Sequence, residues 1–135
     1  MSSDVLRLAN EYRQAASMIA GLGRRGDPIS RSPYRLVAIH AIELYLNAFL
    51  LHAGHDPRDI RGLQHDLATR TDLSIGRGLV LRERTTNHLR ALTGTREYLV
   101  TRYSPELKST LSQINRLAAT LEEVAAKVTA VVGRP

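Results

Sequence analysis

Residues 35–54 have the sequence RLVAIHAIELYLNAFLLHAG, which is apolar on nearly every side of a helix. A helix that is apolar all round belongs in the centre of a bundle or in a membrane. This run is long enough to span a bilayer, but Glu43 lies near its middle, where a carboxylate is costly in hydrocarbon. We therefore expect the buried central helix of a soluble protein, from about Tyr34 to Ala53, ended by Gly54.

Three polar side chains interrupt this helix along one line: His40, Glu43 and Asn47, at i, i+3 and i+7. Because a buried, unpaired carboxylate is expensive, these groups need partners. One interpretation is a hydrogen-bonded stripe that fixes the register of the helix, and the other is one wall of a polar groove. Buried polar networks are commoner than active sites, which favours the first. Both interpretations predict that Glu43 is buried or half-buried and has a partner.

The residues before this helix predict another one, starting near Ser3 and stopping at the breaker Gly21-Leu22-Gly23. Its apolar residues step by four and three, which predicts a single buried stripe. They are Leu8, Tyr12, Ala15, Ile19 and Leu22. The loop GRRGDPISRSP follows, and Ser32-Pro33 at its end predicts an N-cap with proline at the first helical position.

After Gly54 the chain is divided into short helices by turn residues. Asp56-Pro57 starts the first of them, and Gly62 interrupts it. His65-Asp66-Leu67 opens a second short helix that is predicted to end near Leu73. A further helix is predicted over residues 79–92.

The last helix has the strongest start signal in the chain: Ser104-Pro105-Glu106 combines a cap, a proline and an acid. It is predicted over about 105–132, with apolar residues that alternate steps of four and three as in a coiled coil. They are Leu107, Leu111, Ile114, Ala118, Leu121, Ala125, Val128 and Val132. No strand pattern or repeat is found. The sequence predicts one all-α domain over residues 1–135, an up-and-down bundle of four or five helices with short inserted helices.

Composition narrows the classes of partner. The 135-residue chain has a net charge of +6, with 17 arginines and 2 lysines, and most of the excess lies between residues 24 and 102. Such charge favours nucleic acid or another polyanion, although arginines also simply solvate surfaces. The chain has no cysteine and opens without a positively charged, apolar leader, so we expect a cytoplasmic protein.

Signals for a metal or a cofactor are weak. His52 and His55, with Asp56, are separated by a helix-ending glycine, and no further ligand is evident, so no metal is expected. The glycines within residues 21–26 follow a helix and not a strand, which excludes a P-loop or a dinucleotide fingerprint. We expect no cofactor.

Two of these stretches occur together in a known family. HAIELYLNA at 40–48, followed by LQHDL at 63–67, resembles the HEPN (higher eukaryote and prokaryote nucleotide-binding) domains over about residues 33–103. The resemblance implies a small helical bundle that associates with RNA, a nucleotide or a partner protein such as the second component of a toxin–antitoxin pair. It also implies that Arg96 faces the second helix and is the arginine that pairs with Glu43. The polar groove or binding site would comprise His40, Glu43, Asn47, His65, Arg96 and Tyr103.

HEPN ribonucleases carry an arginine, four to six further residues and then a histidine on a late helix. Here Arg96 matches, but Thr101 stands in the place of the histidine, and threonine cannot exchange a proton near neutral pH. Arg82 and His88 have the spacing too, one to two turns earlier. We therefore expect a non-catalytic or degenerate HEPN-like binding or regulatory module. The alternatives are a metal-independent ribonuclease that uses Arg82 and His88 or an unrecognised set of residues, and a structural protein-interaction module.

The last helix also bears on assembly, because Leu117, Val124 and Val131 add a second apolar strip beside its seam. Exposed in a monomer, this strip would form an unusually large apolar patch. We therefore expect a homodimer formed through the second and last long helices. In the alternative, the inserted helices around residues 63–73 cover the strip within one chain.

Overall fold

The computed structural model describes residues 1–94 and 113–133. These residues form six α-helices and two short 3-10 helices, and within them there is no β-strand. The α-helices are α1 (Ser2–Ile19), α2 (Ser32–His52), α3 (Pro57–Gly62), α4 (Leu67–Gly76), α5 (Glu83–Gly94) and α6 (Ile114–Val132). The 3-10 helices are Ala20–Leu22 and Pro28–Arg31. The predicted all-helical class is confirmed for the described residues.

Helix α2 forms the centre of the structure, as its sequence predicts. It packs mainly against α1 and α6, and it also contacts α3 and α4. Several of its side chains are completely inaccessible to solvent, including those of Ile42, Tyr45 and Leu46. The segment Pro28–His52 is long and apolar enough to cross a membrane, but 72% of its most apolar window is buried inside the fold. Packing against neighbouring helices therefore accounts for its apolar character.

The buried face of α1 differs from the predicted stripe. Leu8 and Leu22 are 47% and 63% exposed, whereas Leu6, Ala9 and Ala16 are buried. The buried stripe runs along Val5, Ala9, Tyr12, Ala16 and Ile19, which have the same alternation of steps. Alanine brings two helix backbones closer together than leucine does, and α1 makes its most extensive contact with α2. The predicted stripe was therefore wrong at Leu8, Ala15 and Leu22, which are exposed.

The predicted helix starts are confirmed where an aspartate caps them. Asp56 accepts a hydrogen bond from the backbone N–H of Arg58 at 2.7 Å, and Asp66 accepts one from Thr69 at 2.9 Å. Ser32 is not a cap: it lies within α2, after Arg31, which caps the helix without a side-chain hydrogen bond. The 3-10 helix Pro28–Arg31 leads directly into α2, whereas the sequence predicted a loop there.

Two further boundaries differ from the predictions. Helix α4 continues to Gly76, beyond Leu73, and α5 begins at Glu83 and not at residue 79. Gly78, with a φ of +101°, marks the turn between them. Helix α6 is described from Ile114, so the predicted start at 104–106 lies outside the described residues.

The apolar strip on α6 is covered within the chain. Leu117 and Val124 have no solvent exposure, and only Val131, at 38%, is partly open. Helix α6 packs mainly against α2 and also contacts α1 and α5. The homodimer stays a prediction, but an exposed strip on α6 no longer supports it.

A candidate binding pocket beside Glu43

The carboxylate of Glu43 is the centre of a buried polar cluster. Its side chain is 10% exposed, and Oε1 lies 3.0 Å from Nδ1 of His65 and 3.9 Å from Nη1 of Arg70. Oε2 lies 3.6 Å from Nδ1 of His40, which is too long for a hydrogen bond. The predicted burial of Glu43 is confirmed. The arginine within ion-pair distance of it is Arg70, which was not predicted. The predicted partner, Arg96, lies outside the described residues.

Arg70 joins three helices beneath this carboxylate. Its side chain is 3% exposed. Nε donates to Oδ1 of Asn47 at 2.7 Å, and the other two nitrogens donate to the carbonyl oxygens of Asp66 and Ile60 at 3.3 and 3.4 Å. Burial lowers the pKa of Arg70, and Glu43 opposes this shift. The guanidinium stays charged at neutral pH, so it provides a fixed positive group below Glu43.

His65 reaches Glu43 from the turn between α3 and α4. Gln64 precedes it with a φ of +52°, in the left-handed region that few residues other than glycine adopt. Asp66 follows it and caps α4 through the backbone N–H and the hydroxyl of Thr69. These hydrogen bonds lower the pKa of Asp66. The turn is thus constrained on both sides of His65, which directs the imidazole toward α2.

A pocket of about 250 Å³ opens above the cluster. It combines apolar walls with aromatic rings and the Glu43 carboxylate. Its lining residues are Tyr12, Leu36, Val37, Ile39, His40, Glu43 and His65. The rings of Tyr12 and His40 meet edge to face, with centroids 4.6 Å apart. Burial lowers the pKa of His40, although Glu43 opposes the shift, so this imidazole is predominantly neutral at pH 7.

These contacts determine what the pocket can do chemically. Glu43 Oε2 can accept a further hydrogen bond, because its distance to His40 exceeds hydrogen-bond length. The rings of Tyr12 and His40 offer aromatic surface to a flat ligand. The pocket therefore suits a small planar group that carries N–H donors.

The other predicted pair, Arg82 and His88, is arranged differently. Arg82 is exposed and lines an open groove with Glu123 and Lys127. His88 is 8% exposed, and its Nδ1 shares a hydrogen bond of 2.7 Å with the Thr120 hydroxyl. Its Nε2 is buried and has no hydrogen-bond partner in the part of the chain that the structure describes.

The electrostatic surroundings of His88 fit this buried position. Burial, together with the charges of Arg116 and Arg35, lowers its pKa from 6.5 to about 4. His88 is therefore neutral at pH 7. Proton exchange with a substrate would require access to an imidazole that the helices cover.

Of the six predicted groove residues, the structure brings four together: His40, Glu43, Asn47 and His65. Arg96 and Tyr103 lie outside the described residues, as does Thr101. Sequence reasoning missed Arg70 as a partner of Glu43, although its position four residues after the Asp66 cap places it on the first turn of α4.

No group of three or more potential metal ligands occurs among residues 1–94 and 113–133. His52 is exposed, and His55 is partly buried. Comparison with known proteins adds no relative: no protein-family model, curated protein or solved structure matches this chain.

Proposed function

We propose that this chain is a non-catalytic, HEPN-like binding module that holds a nucleobase, of a nucleotide or of RNA, in the pocket beside Glu43. The observation that carries the proposal is a buried carboxylate in a pocket with apolar and aromatic walls. A base presents a flat aromatic face and N–H donors at its edge. In this pocket the rings of Tyr12 and His40 can contact the face, and the Glu43 carboxylate can accept hydrogen bonds from the donors.

The size of the pocket favours a base over a larger ligand. Drug-sized ligands occupy pockets of about 300–1,000 Å³. A volume of about 250 Å³ lies below that range, so it suits one ring system and leaves sugar and phosphate outside. Stacking on aromatic side chains contributes about 1–3 kcal/mol per base. A hydrogen bond to a charged group contributes about 1.5–3 kcal/mol.

The position of His88 supports the non-catalytic part of the proposal. A ribonuclease that used the Arg82 and His88 pair would need this histidine to reach the phosphodiester, and His88 is buried between α5 and α6. Arg82, its partner by spacing, lies on an exposed surface.

Nucleosides test the pocket, because they contain the base without a phosphate. We expect the ring signals of Tyr12 and His40 to shift in NMR titrations with adenosine, guanosine or cytidine, whose bases carry exocyclic amino groups. Glu43→Gln should weaken that binding tenfold or more, because the amide accepts a weaker hydrogen bond. Glu11→Gln, at an exposed position on α1, is the matched control and should leave the affinity unchanged.

Two results would contradict the proposal. Absence of binding at millimolar nucleoside, or binding that Glu43→Gln does not weaken, would exclude the pocket as a base site. Cleavage of single-stranded RNA in the presence of a chelator, abolished by His88→Ala, would show that the chain is a metal-independent ribonuclease.

A further inference from the structure

The Glu43 carboxylate offers more hydrogen-bond acceptor positions than its neighbours occupy. A carboxylate has about four lone-pair sites and no donor. The His65 imidazole occupies one of them, on Oε1 at 3.0 Å. Arg70 Nη1 lies 3.9 Å from Oε1, and His40 Nδ1 lies 3.6 Å from Oε2, so both exceed hydrogen-bond distance. Each carboxylate oxygen can therefore accept a hydrogen bond from a ligand in the pocket.

The carboxylate is held in place, and its charge is already balanced. Its side chain is 10% exposed and faces Arg70, which is 3% exposed. Hydrogen bonds to Asn47 and to two backbone carbonyl oxygens fix the guanidinium of Arg70. A cationic ligand would give up its hydration to meet a carboxylate that already has a positive partner. The site therefore favours a neutral ligand that presents two adjacent N–H donors.

The four bases of RNA differ in how their hydrogen-bonding edges meet two adjacent acceptors. Guanine has two neighbouring donors, the N1–H and the 2-amino group. Adenine and cytosine place a ring-nitrogen acceptor beside their amino group, and uracil places a carbonyl oxygen on each side of its N3–H. These three bases can donate once to a carboxylate, and a lone pair of the base then faces the second carboxylate oxygen. Guanine donates twice, and hydrogen bonds to a charged acceptor are the stronger kind.

We propose that the pocket beside Glu43 selects guanine over the other bases, because the two carboxylate oxygens accept hydrogen bonds from its N1–H and its 2-amino group. This inference rests on the proposed base-binding function and makes Glu43 its specificity-determining residue. The same lining contains donors that can reach the remaining O6 atom of guanine: the neutral ring of His40 carries one N–H, and Tyr12 carries a phenolic O–H. Selection follows from the acceptor-only chemistry of the carboxylate and needs no contact with sugar or phosphate.

Titration of the unmodified protein with four nucleosides tests this selection, with the NMR ring signals of Tyr12 and His40 as the readout. Guanosine should bind about tenfold or more tighter than adenosine, cytidine or inosine. Inosine is the most informative comparison, because it keeps the N1–H and the O6 of guanosine and lacks only the 2-amino group.

Two variants separate recognition of the base edge from contact with the base face. Glu43→Gln replaces one acceptor with an N–H donor that would face a donor of guanine, so the ratio of guanosine to adenosine affinity should fall about tenfold or more. Tyr12→Leu removes aromatic surface and should weaken guanosine and inosine binding by the same factor, which leaves their ratio unchanged. Glu11→Gln, at an exposed position on α1, should change neither ratio. Circular dichroism confirms that each variant is folded.

Equal affinities for guanosine and inosine would overturn the selection of guanine and leave base binding intact. A preference for guanosine that Glu43→Gln retains would overturn it as well, because another group would then recognise the base. Absence of binding by all four nucleosides would contradict the proposed function itself, so the two failures are distinguishable. N-acetylarginine methylamide offers two parallel N–H donors on a cation. If it displaces guanosine at equal concentration, the pocket is a site for an arginine of a protein partner and not for guanine.

Discussion

The buried imidazole of His88 should make the protein less stable in mild acid. The pKa of His88 is lowered from 6.5 to about 4 in the folded protein, so between these values the unfolded chain binds the proton more readily. The stabilising contribution is therefore present above pH 6.5 and is lost as the pH falls toward 4. Between pH 7 and pH 4.5 this one group should lower the free energy of unfolding by about 2–2.5 kcal/mol.

Urea unfolding followed by circular dichroism at pH 7 and pH 4.5 measures this loss. His88→Asn keeps a hydrogen-bonding atom near Nδ1, where Thr120 lies 2.7 Å away, but does not titrate. In this variant the free energy of unfolding should differ between pH 7 and pH 4.5 by about 2 kcal/mol less than in the unmodified protein, although the variant is less stable at pH 7. His52→Asn removes an exposed imidazole and serves as the control. If His88→Asn retains the full loss seen in the unmodified protein, His88 does not cause it.

Three further predictions concern stability near the candidate pocket and along α2. Glu43→Gln should lower the free energy of unfolding by about 2–3 kcal/mol in urea titrations, because it removes the charge that faces Arg70; a loss below about 0.5 kcal/mol would contradict the buried pair. Asp66→Ala should cost about 1 kcal/mol through loss of the α4 cap. Since the pKa of Asp66 is lowered, that contribution is full above pH 3.8 and is lost as the pH falls below it, so the variant and the unmodified protein should converge in stability at lower pH. Gly54→Ala should lower the melting temperature, by the equivalent of about 1 kcal/mol, because Gly54 has a φ of +98°. Gly76→Ala should leave the melting temperature unchanged, because Gly76 does not have a positive φ.

The central helix was predictable because its composition leaves few alternatives. An apolar run as long as α2 with one carboxylate must be covered, and five other elements of the described chain surround it. The buried face of α1 was not predictable in the same way. Two stripes with identical spacing share Tyr12 and Ile19. The predicted stripe adds two leucines and an alanine, and the observed stripe adds a valine and two alanines. Apolar content favours the leucines, but close approach of the helices favours the alanines, and only tertiary packing decides between them.

The candidate site was predictable in part for a related reason. A carboxylate on a buried helix needs a partner, so the burial of Glu43 and its need for a partner follow from α2 alone. Its neighbours on α2 follow from the helical period. Which of 17 arginines serves as that partner depends on where α4 packs, and this is a tertiary contact. For the same reason the pocket itself, with Tyr12 supplied by α1, could not be inferred from residues 35–54.

The buried phenol of Tyr45 offers a built-in optical reporter. The chain contains no tryptophan, so its near-ultraviolet absorption comes chiefly from five tyrosines. Tyr45 is completely inaccessible to solvent, and its hydroxyl donates a hydrogen bond to the side chain of Asn10 on α1. If α1 separates from α2, this phenol loses both its shielding and its hydrogen-bond acceptor. Near-ultraviolet difference spectra of the unmodified protein, compared with those of Tyr45→Phe, can therefore follow the docking of α1 without an introduced fluorophore.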